Sequence, residues 1–158
     1  MDTLEFLAER CRREGEKTGS FFQELSQGQW KETLYTQGGR WTIHQVLAHF
    51  VSTEDALQEL ISDIAGGGRG VNPEFDIDRF NEAQVKSLEG VSTDKLMIRF
   101  QSSRQKTVSL VRSLSMDDLG KQGRHPFLGI VPLAEIIKLL YRHNQIHQRD
   151  IRKRLAEL

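Results

Sequence analysis

Two histidines four residues apart, His143 and His147 in the stretch YRHNQIHQRDI, are the residues of this chain best suited to chemistry. On a helix that spacing sets the two imidazoles one turn apart on one face, able to converge on a single point. Leu133, Ile136, Ile137, Leu140, Ile151 and Leu155 recur around them at helical spacing, so the pair lies on or beside a buried stripe. Imidazoles in such a place either hydrogen-bond within the core or ligate a metal. A His-x3-His pair joined by one nitrogen from a neighbouring helix makes a three-ligand site that leaves positions open for water or substrate. Spacing alone does not specify the third ligand. A zinc protease of the H-E-x-x-H type is excluded, because Asn144 stands where the general-base glutamate would be.

A second segment, WTIHQVLAHFVSTEDAL, carries two more histidines. At 3.6 residues per turn His49 falls at the margin of the apolar face and His44 points away from it. Glu54 is the anomaly, a carboxylate among Leu47, Phe50, Leu57 and Ile61, and it requires a cation or a hydrogen-bond network inside the protein. Asp150, just beyond His147, reads as a fourth ligand, as an acceptor orienting an imidazole, or as a solvated carboxylate paired with Arg154. Cys11 reads as a small core residue without a basic neighbour to make a thiolate. His125, in GRHPF, reads as a surface turn residue in a loop able to gate the site, and Trp41 as a packing residue sealing one end.

Positioning these groups falls to four long periodic segments. The first covers residues 3 to 27, with Cys11, Gly15 and Thr18 making its face small in the middle and Gly28 as a stop. Small residues there permit close helix approach, the favoured reading, or room for a ligand. A turn-rich stretch around Gly38 and Gly39 precedes a T-x-x-Q capping box, Thr42 and Gln45, which starts the second long helix, and the glycines of GGGRG (66 to 70) end it in a mobile connection. A shorter helix is expected from Asp78 to Leu88. The third long helix starts at a Ser92 cap and runs to Leu114, and the fourth has Pro132 in its first turn, where the missing amide costs little. No convincing alternating strand is visible. The expected fold is an all-α, antiparallel-type four-helix bundle, a single domain over residues 1 to 158, with the long link between the second and third long helices as a crossover.

Composition narrows the partners. Twenty-two Lys and Arg balance 22 Asp and Glu, so no net charge draws phosphates from a distance, and no nucleic-acid partner is expected. The basic run RDIRKRL suits a helix C-terminus, where cations offset exposed carbonyls. A single cysteine excludes an intrachain disulfide and fits a reducing compartment. No secretory pattern and no membrane-length apolar run are seen, so the expectation is a cytoplasmic protein without a membrane partner.

Three stretches together resemble the DinB/YfiT-like superfamily of bacterial four-helix bundles, which includes the N-terminal domain of mycothiol-dependent maleylpyruvate isomerase. WTIHQVLAHFVSTEDAL is similar to the family's tryptophan-led second helix, FNEAQVKSLEGVSTDKL to its link into the third, and LLYRHNQIHQRDI to its H-x3-H helix. The resemblance implies that His49, His143 and His147 are a metal triad, while His44 has no role in it. It implies a divalent ion, zinc or nickel first because imidazole suits both, with iron and manganese left open. Many relatives follow the last histidine with a basic residue, a glycine and a glutamine, where this chain has Gln148, Arg149 and Asp150. The activity implied is that of a low-molecular-weight-thiol transferase or isomerase acting on a small electrophile, with a non-catalytic, stress- or damage-inducible bundle as the alternative. A homodimer is also implied, with Val51 and Val108, apolar positions off the core arcs, in weak support.

Overall fold

Side-chain caps define where the helices begin. In the computed structural model, which describes residues 2–36 and 39–158, Thr3 caps α1 (Leu4–Gln23), and Ser26 with Gln29 forms a capping box on the single turn α2 (Gln27–Trp30). The box between Thr42 and Gln45 opens α3 (Ile43–Ala65), Asp76 caps α4 (Ile77–Ser87), and Ser92 caps α5 (Thr93–Ser113). Pro132 is the N-cap of α6 (Leu133–Ala156) rather than a member of its first turn. The expected first helix is shorter than residues 3 to 27: it stops at Glu24, because Ser26 restarts the chain as α2, which contains Gly28. Of the turn expected around Gly38 and Gly39, Gly38 lies outside the described residues.

Two short hairpins correct the expectation of no strands. β1 (Thr33–Thr36) pairs antiparallel with β2 (Gly39–Thr42), and β3 (Gln122–His125) with β4 (Gly129–Pro132). At four residues each they are too short to show an apolar alternation. Each hairpin runs directly into a long helix, β2 into α3 and β4 into α6. A short 3-10 turn, Asp117–Gly120, leads from α5 to β3.

In the bundle, α1 and α3 each pack on both α5 and α6, so helices consecutive in the chain sit mostly on diagonals. Glu5 meets Arg112, and Gly15 and Gly19 face Arg104 and Gln101, so α1 and α5 are antiparallel. Glu54 meets Arg104 and Gln58 meets Thr107, so α3 and α5 run parallel. Glu14 with Gln145 and Thr18 with Gln148 make α1 and α6 parallel as well. The order is up, down, down, up, and the expected antiparallel arrangement holds for only two of the four contacts. Parallel neighbours cannot be joined by a tight turn, and the segment from Gly66 to Ser92, carrying α4, is the expected crossover.

The interior has two apolar clusters. One holds Leu7, Leu57, Ile61, Val111, Ile136 and Ile137; the other holds Phe22, Val46, Phe50, Leu96, Phe100 and Ile151. Between them lies a charged layer. Arg104 donates Nε to Glu54 Oε2 at 2.8 Å and Nη2 to Glu54 Oε1 at 2.9 Å, and it also donates to the Cys11 carbonyl and to Asn144 Oδ1. Thr107 Oγ1 donates to Glu54 at 2.6 Å. Glu54 thus has the cationic partner its position demanded. The small middle of α1 serves neither of its expected uses alone: a Cβ on Gly15 would lie 2.7 Å from Arg104 Cγ, so the glycine makes room for this buried arginine. Val51 and Val108 are buried, at 4% and 5% exposure, and give no support to a dimer face.

Candidate metal centre

His49 comes two turns into α3, where the capping box fixes the helix start, and His143 and His147 come from the middle of α6. The antiparallel contact of these helices brings the three rings together. His143 Nε2 lies 2.9 Å from His49 Nε2 and 3.0 Å from His147 Nε2, and one ligand nitrogen from each residue falls within 4.8 Å of the others. The rings stand edge to face, with centroids 4.6 to 5.2 Å apart. Trp41, at the end of β2, packs 4.8 Å from the His49 ring, and Phe50 lies 5.6 Å from that of His147. Trp41 therefore is the sealing residue expected, and its seal lies against the cluster. His49 is nearer the core than its marginal phase implied, being 3% exposed.

Burial keeps these imidazoles uncharged. It pushes His49 down to about 3, helped by the charge of His147. It pushes His143 well below the usual histidine range, helped by His49 and His147. It pushes His147 down to about 4, against the pull of Asp150. A neutral ring carries one N–H and one lone pair. His49 Nδ1 lies 3.3 Å from Thr53 Oγ1, a contact that fits an Nδ1–H donor and leaves the Nε2 lone pair facing the cluster. Hydrogen bonding alone leaves the cluster incomplete, because one proton on His143 Nε2 can serve only one of its two neighbours. A cation would take all three lone pairs at once, so the donor set fits a metal ion.

Asp150 is outside the cluster. It lines a separate open cavity with Lys153 and Arg154, it does not orient His147, and Arg154 bonds instead to the Thr33 carbonyl and Glu32. His44 is half-buried, with Nε2 lying 2.8 Å from the Val91 carbonyl at the end of the crossover. Asn144, whose Oδ1 accepts from Arg104, belongs to the charged layer. Cys11 is fully buried, and burial pushes its thiol up to about 12, in keeping with a core residue.

Beside the cluster lies a cavity of about 250 Å³, walled by Leu57, Ile77, Phe127, Leu128, Leu139 and Ile146 as well as the three histidines. It also takes in Thr53, Asp78, Asn81 and His125. The crossover helix α4 and the β3–β4 turn therefore form its outer walls. His125, read from the sequence as a surface turn residue, is only 8% exposed. A lone histidine in a glycine- and proline-flanked loop gives no sequence signal of that burial. Arg104, equally unforeseen, is buried beside Ser103 and Thr107 in the middle of α5, where no local signal marks an inward cation.

Known proteins carry related sequences and folds. A model of the DinB superfamily matches residues 10–151. A Bacillus cereus protein whose name provisionally assigns it metal-dependent hydrolase activity is 28% identical over 128 residues, covering 78% of this chain and 71% of its own length. YfiT from Bacillus subtilis, described as a probable metal-dependent hydrolase with an unusual four-helix bundle topology, superposes with a TM-score of 0.78 at 15% identity, over 98% of this chain and 86% of that one. Mycothiol-dependent maleylpyruvate isomerase superposes at 0.76 and 19% identity, over 95% of this chain and 61% of that one. The colibactin self-resistance protein ClbS, solved in complex with double-stranded DNA, superposes at 0.74 and 15% identity, over 98% and 96% of the two chains. The duplex belongs to that protein; likeness at this level of identity concerns the fold. With its family model spanning nearly the whole sequence, this chain belongs to the DinB superfamily.

Proposed function

We propose that His49, His143 and His147 bind one divalent cation through Nε2, zinc or nickel in the first place, and that the bundle uses it to activate a nucleophile against a small electrophile held in the adjoining cavity. The convergence of three uncharged ring nitrogens at 2.9 and 3.0 Å carries this reading. A bound cation of this kind lowers the pKa of a thiol or a water so that the nucleophile is available at neutral pH. The chain's own residues do the rest. Thr53 holds the His49 ring, Trp41 and Phe50 shield the cluster from bulk water, and the apolar wall from Leu57 to Ile146 takes the body of the substrate. A low-molecular-weight thiol is the nucleophile favoured by the resemblance to the isomerase; the names of the hydrolase relatives support water as the alternative. A homodimer rests on the family resemblance alone.

Metal analysis of protein purified without chelators tests the site. About one ion per chain is expected, falling to near zero in His143→Ala and in His147→Ala, since two ligands hold an open site poorly. Cobalt-substituted protein titrated with bacterial thiols separates the two nucleophiles: a sulfur-to-metal charge-transfer band, lost in His49→Ala, supports the thiol. Wild-type protein that neither retains nor takes up zinc or nickel would remove the triad's role and leave a non-catalytic bundle.

A further inference from the structure

His125 stands across the cavity from the triad, and its two ring nitrogens are differently placed. Nδ1 accepts the backbone N–H groups of Phe127 at 3.0 Å and Leu128 at 3.3 Å, the two residues that continue the β3–β4 turn. Accepting two donors requires a lone pair on Nδ1, so in the neutral ring the proton sits on Nε2. Burial pushes this imidazole down to about 4, so the ring is neutral through the physiological range. Nε2 has no partner among the described residues, yet it is not sealed from solvent. The ring lines both the cavity beside the triad and a second one of about 310 Å³ that shares Thr53, Leu57, Ile77 and Asn81 with it. The turn thus presents a fixed N–H donor, with one tautomer enforced, at the edge of an otherwise mostly apolar space.

A preset donor in an apolar, partly closed pocket discriminates by chemistry, because an acceptor placed against it gains a hydrogen bond while an apolar group leaves the N–H unpaired. Asn81, from the crossover helix, adds a second polar group to the same wall; it is 8% exposed and its side chain makes no hydrogen bond among the described residues. We infer that His125 is a substrate-binding residue of this site, donating its Nε2–H to a carbonyl-type oxygen on a small apolar molecule seated between the triad and the β3–β4 turn. The inference rests on the proposed function for the purpose of that binding, since an acceptor oxygen held there would fix an electrophile facing the three histidines. The binding itself depends only on the cavity and the turn.

Two probes of one shape read the donor directly: acetophenone and α-methylstyrene, which differ in a C=O against a C=CH2. Backbone amide titrations by NMR, on zinc-loaded and on chelator-stripped protein, should show acetophenone bound roughly three- to tenfold more tightly in both forms, the yield of one neutral hydrogen bond. His125→Asn keeps an acceptor near the position of Nδ1 for the turn amides but ends short of Nε2; it should retain the metal and lose the discrimination. His125→Gln, which carries an N–H to about the reach of Nε2, should recover part of it. Should the Asn variant unfold, the ring nitrogens of the wild type still decide, since a 15N-labelled histidine spectrum must show His125 as the neutral Nε2–H tautomer. Equal binding of both probes, binding of neither, discrimination that survives in His125→Asn, or an Nδ1–H tautomer would each overturn the inference. Metal analysis on the same samples keeps the outcomes apart: a protein that takes up no zinc or nickel yet still discriminates sinks the proposed function alone, and a metal-loaded protein that does not discriminate sinks this inference alone.

Discussion

Replacing Arg104 with methionine would fill much the same space in the bundle and leave the Glu54 carboxylate with Thr107 as its one remaining partner among the described residues. Burial opposes charge on Arg104, but the charge and hydrogen bonds of Glu54 outweigh it and hold the guanidinium above its usual pKa. Arg104 and Glu54 are 3% and 2% exposed, so solvent cannot take over the role of the missing partner. Breaking a buried pair in this way costs about 3–5 kcal/mol, and urea unfolding of Arg104→Met should show a loss of that size. Glu54→Gln keeps one acceptor oxygen but turns an amide NH2 against a donor N–H and leaves the buried guanidinium without its counter-charge, so it should also lower stability. A loss below about 1 kcal/mol in Arg104→Met would mean that the layer between the two apolar clusters is not a closed network. Half of this network is legible in the sequence. Glu54 announces itself as a carboxylate on an apolar arc, whereas Arg104 is one of several basic residues on a helix, and only the space left by Gly15 reveals that its side chain turns inward.

Among the elements, the four long helices and their starts are legible because caps and 3.6-residue spacing are local signals, and the Thr42–Gln45 capping box and the Ser92 cap stand where the residues indicate. The hairpins are not, since four-residue strands are held by pairing and by the helices they lead into. The glycine-rich connection after α3 also differs from expectation. Gly68 N–H donates to the Asp63 carbonyl and Gly70 N–H to Asp63 Oδ2, and Val71 N–H and Arg124 N–H bond across to the Arg124 and Arg69 carbonyls, tying the crossover to β3. Gly70 adopts φ +87°, and a Cβ there would run into the backbone of Arg124. Gly70→Ala is therefore expected to cost about 1–3 kcal/mol, concentrated at this joint. Hydrogen exchange should quicken at Val71 and Arg124 while the amides of α1 and α5 keep their protection. Because α4 and the β3–β4 turn wall the cavity, the same variant should weaken acetophenone binding without lowering metal content. Unchanged exchange at Val71 and Arg124 would show that the joint does not hold the crossover.

For the molecule as a whole, no helix among the described residues is long and apolar enough to cross a membrane, and the equal numbers of acidic and basic residues leave folding stability to local electrostatics rather than to net charge. The histidines dominate that balance in mild acid. In the unfolded chain each takes up a proton near pH 6.5, while in the folded protein burial holds His147 and His125 neutral to about 4 and His49 to about 3. Between those values the unfolded chain binds more protons than the native one, so stability rises with pH and is lost as pH falls. The contribution is complete above about pH 6.5 and declines through the window down to about 4, by up to about 1.4 kcal/mol per pH unit for each such imidazole. Urea unfolding of the metal-free protein across that window should show the decline, and His49→Gln should make it shallower by the share of one imidazole. The comparison of the two proteins cancels the carboxylates, which titrate alike in both. Saturating zinc should add stability above pH 6.5 and progressively less below it, because the ion competes with protons for the same ring nitrogens. Parallel pH profiles for wild type and His49→Gln would contradict the neutral, buried state of the cluster on which the proposed metal site depends.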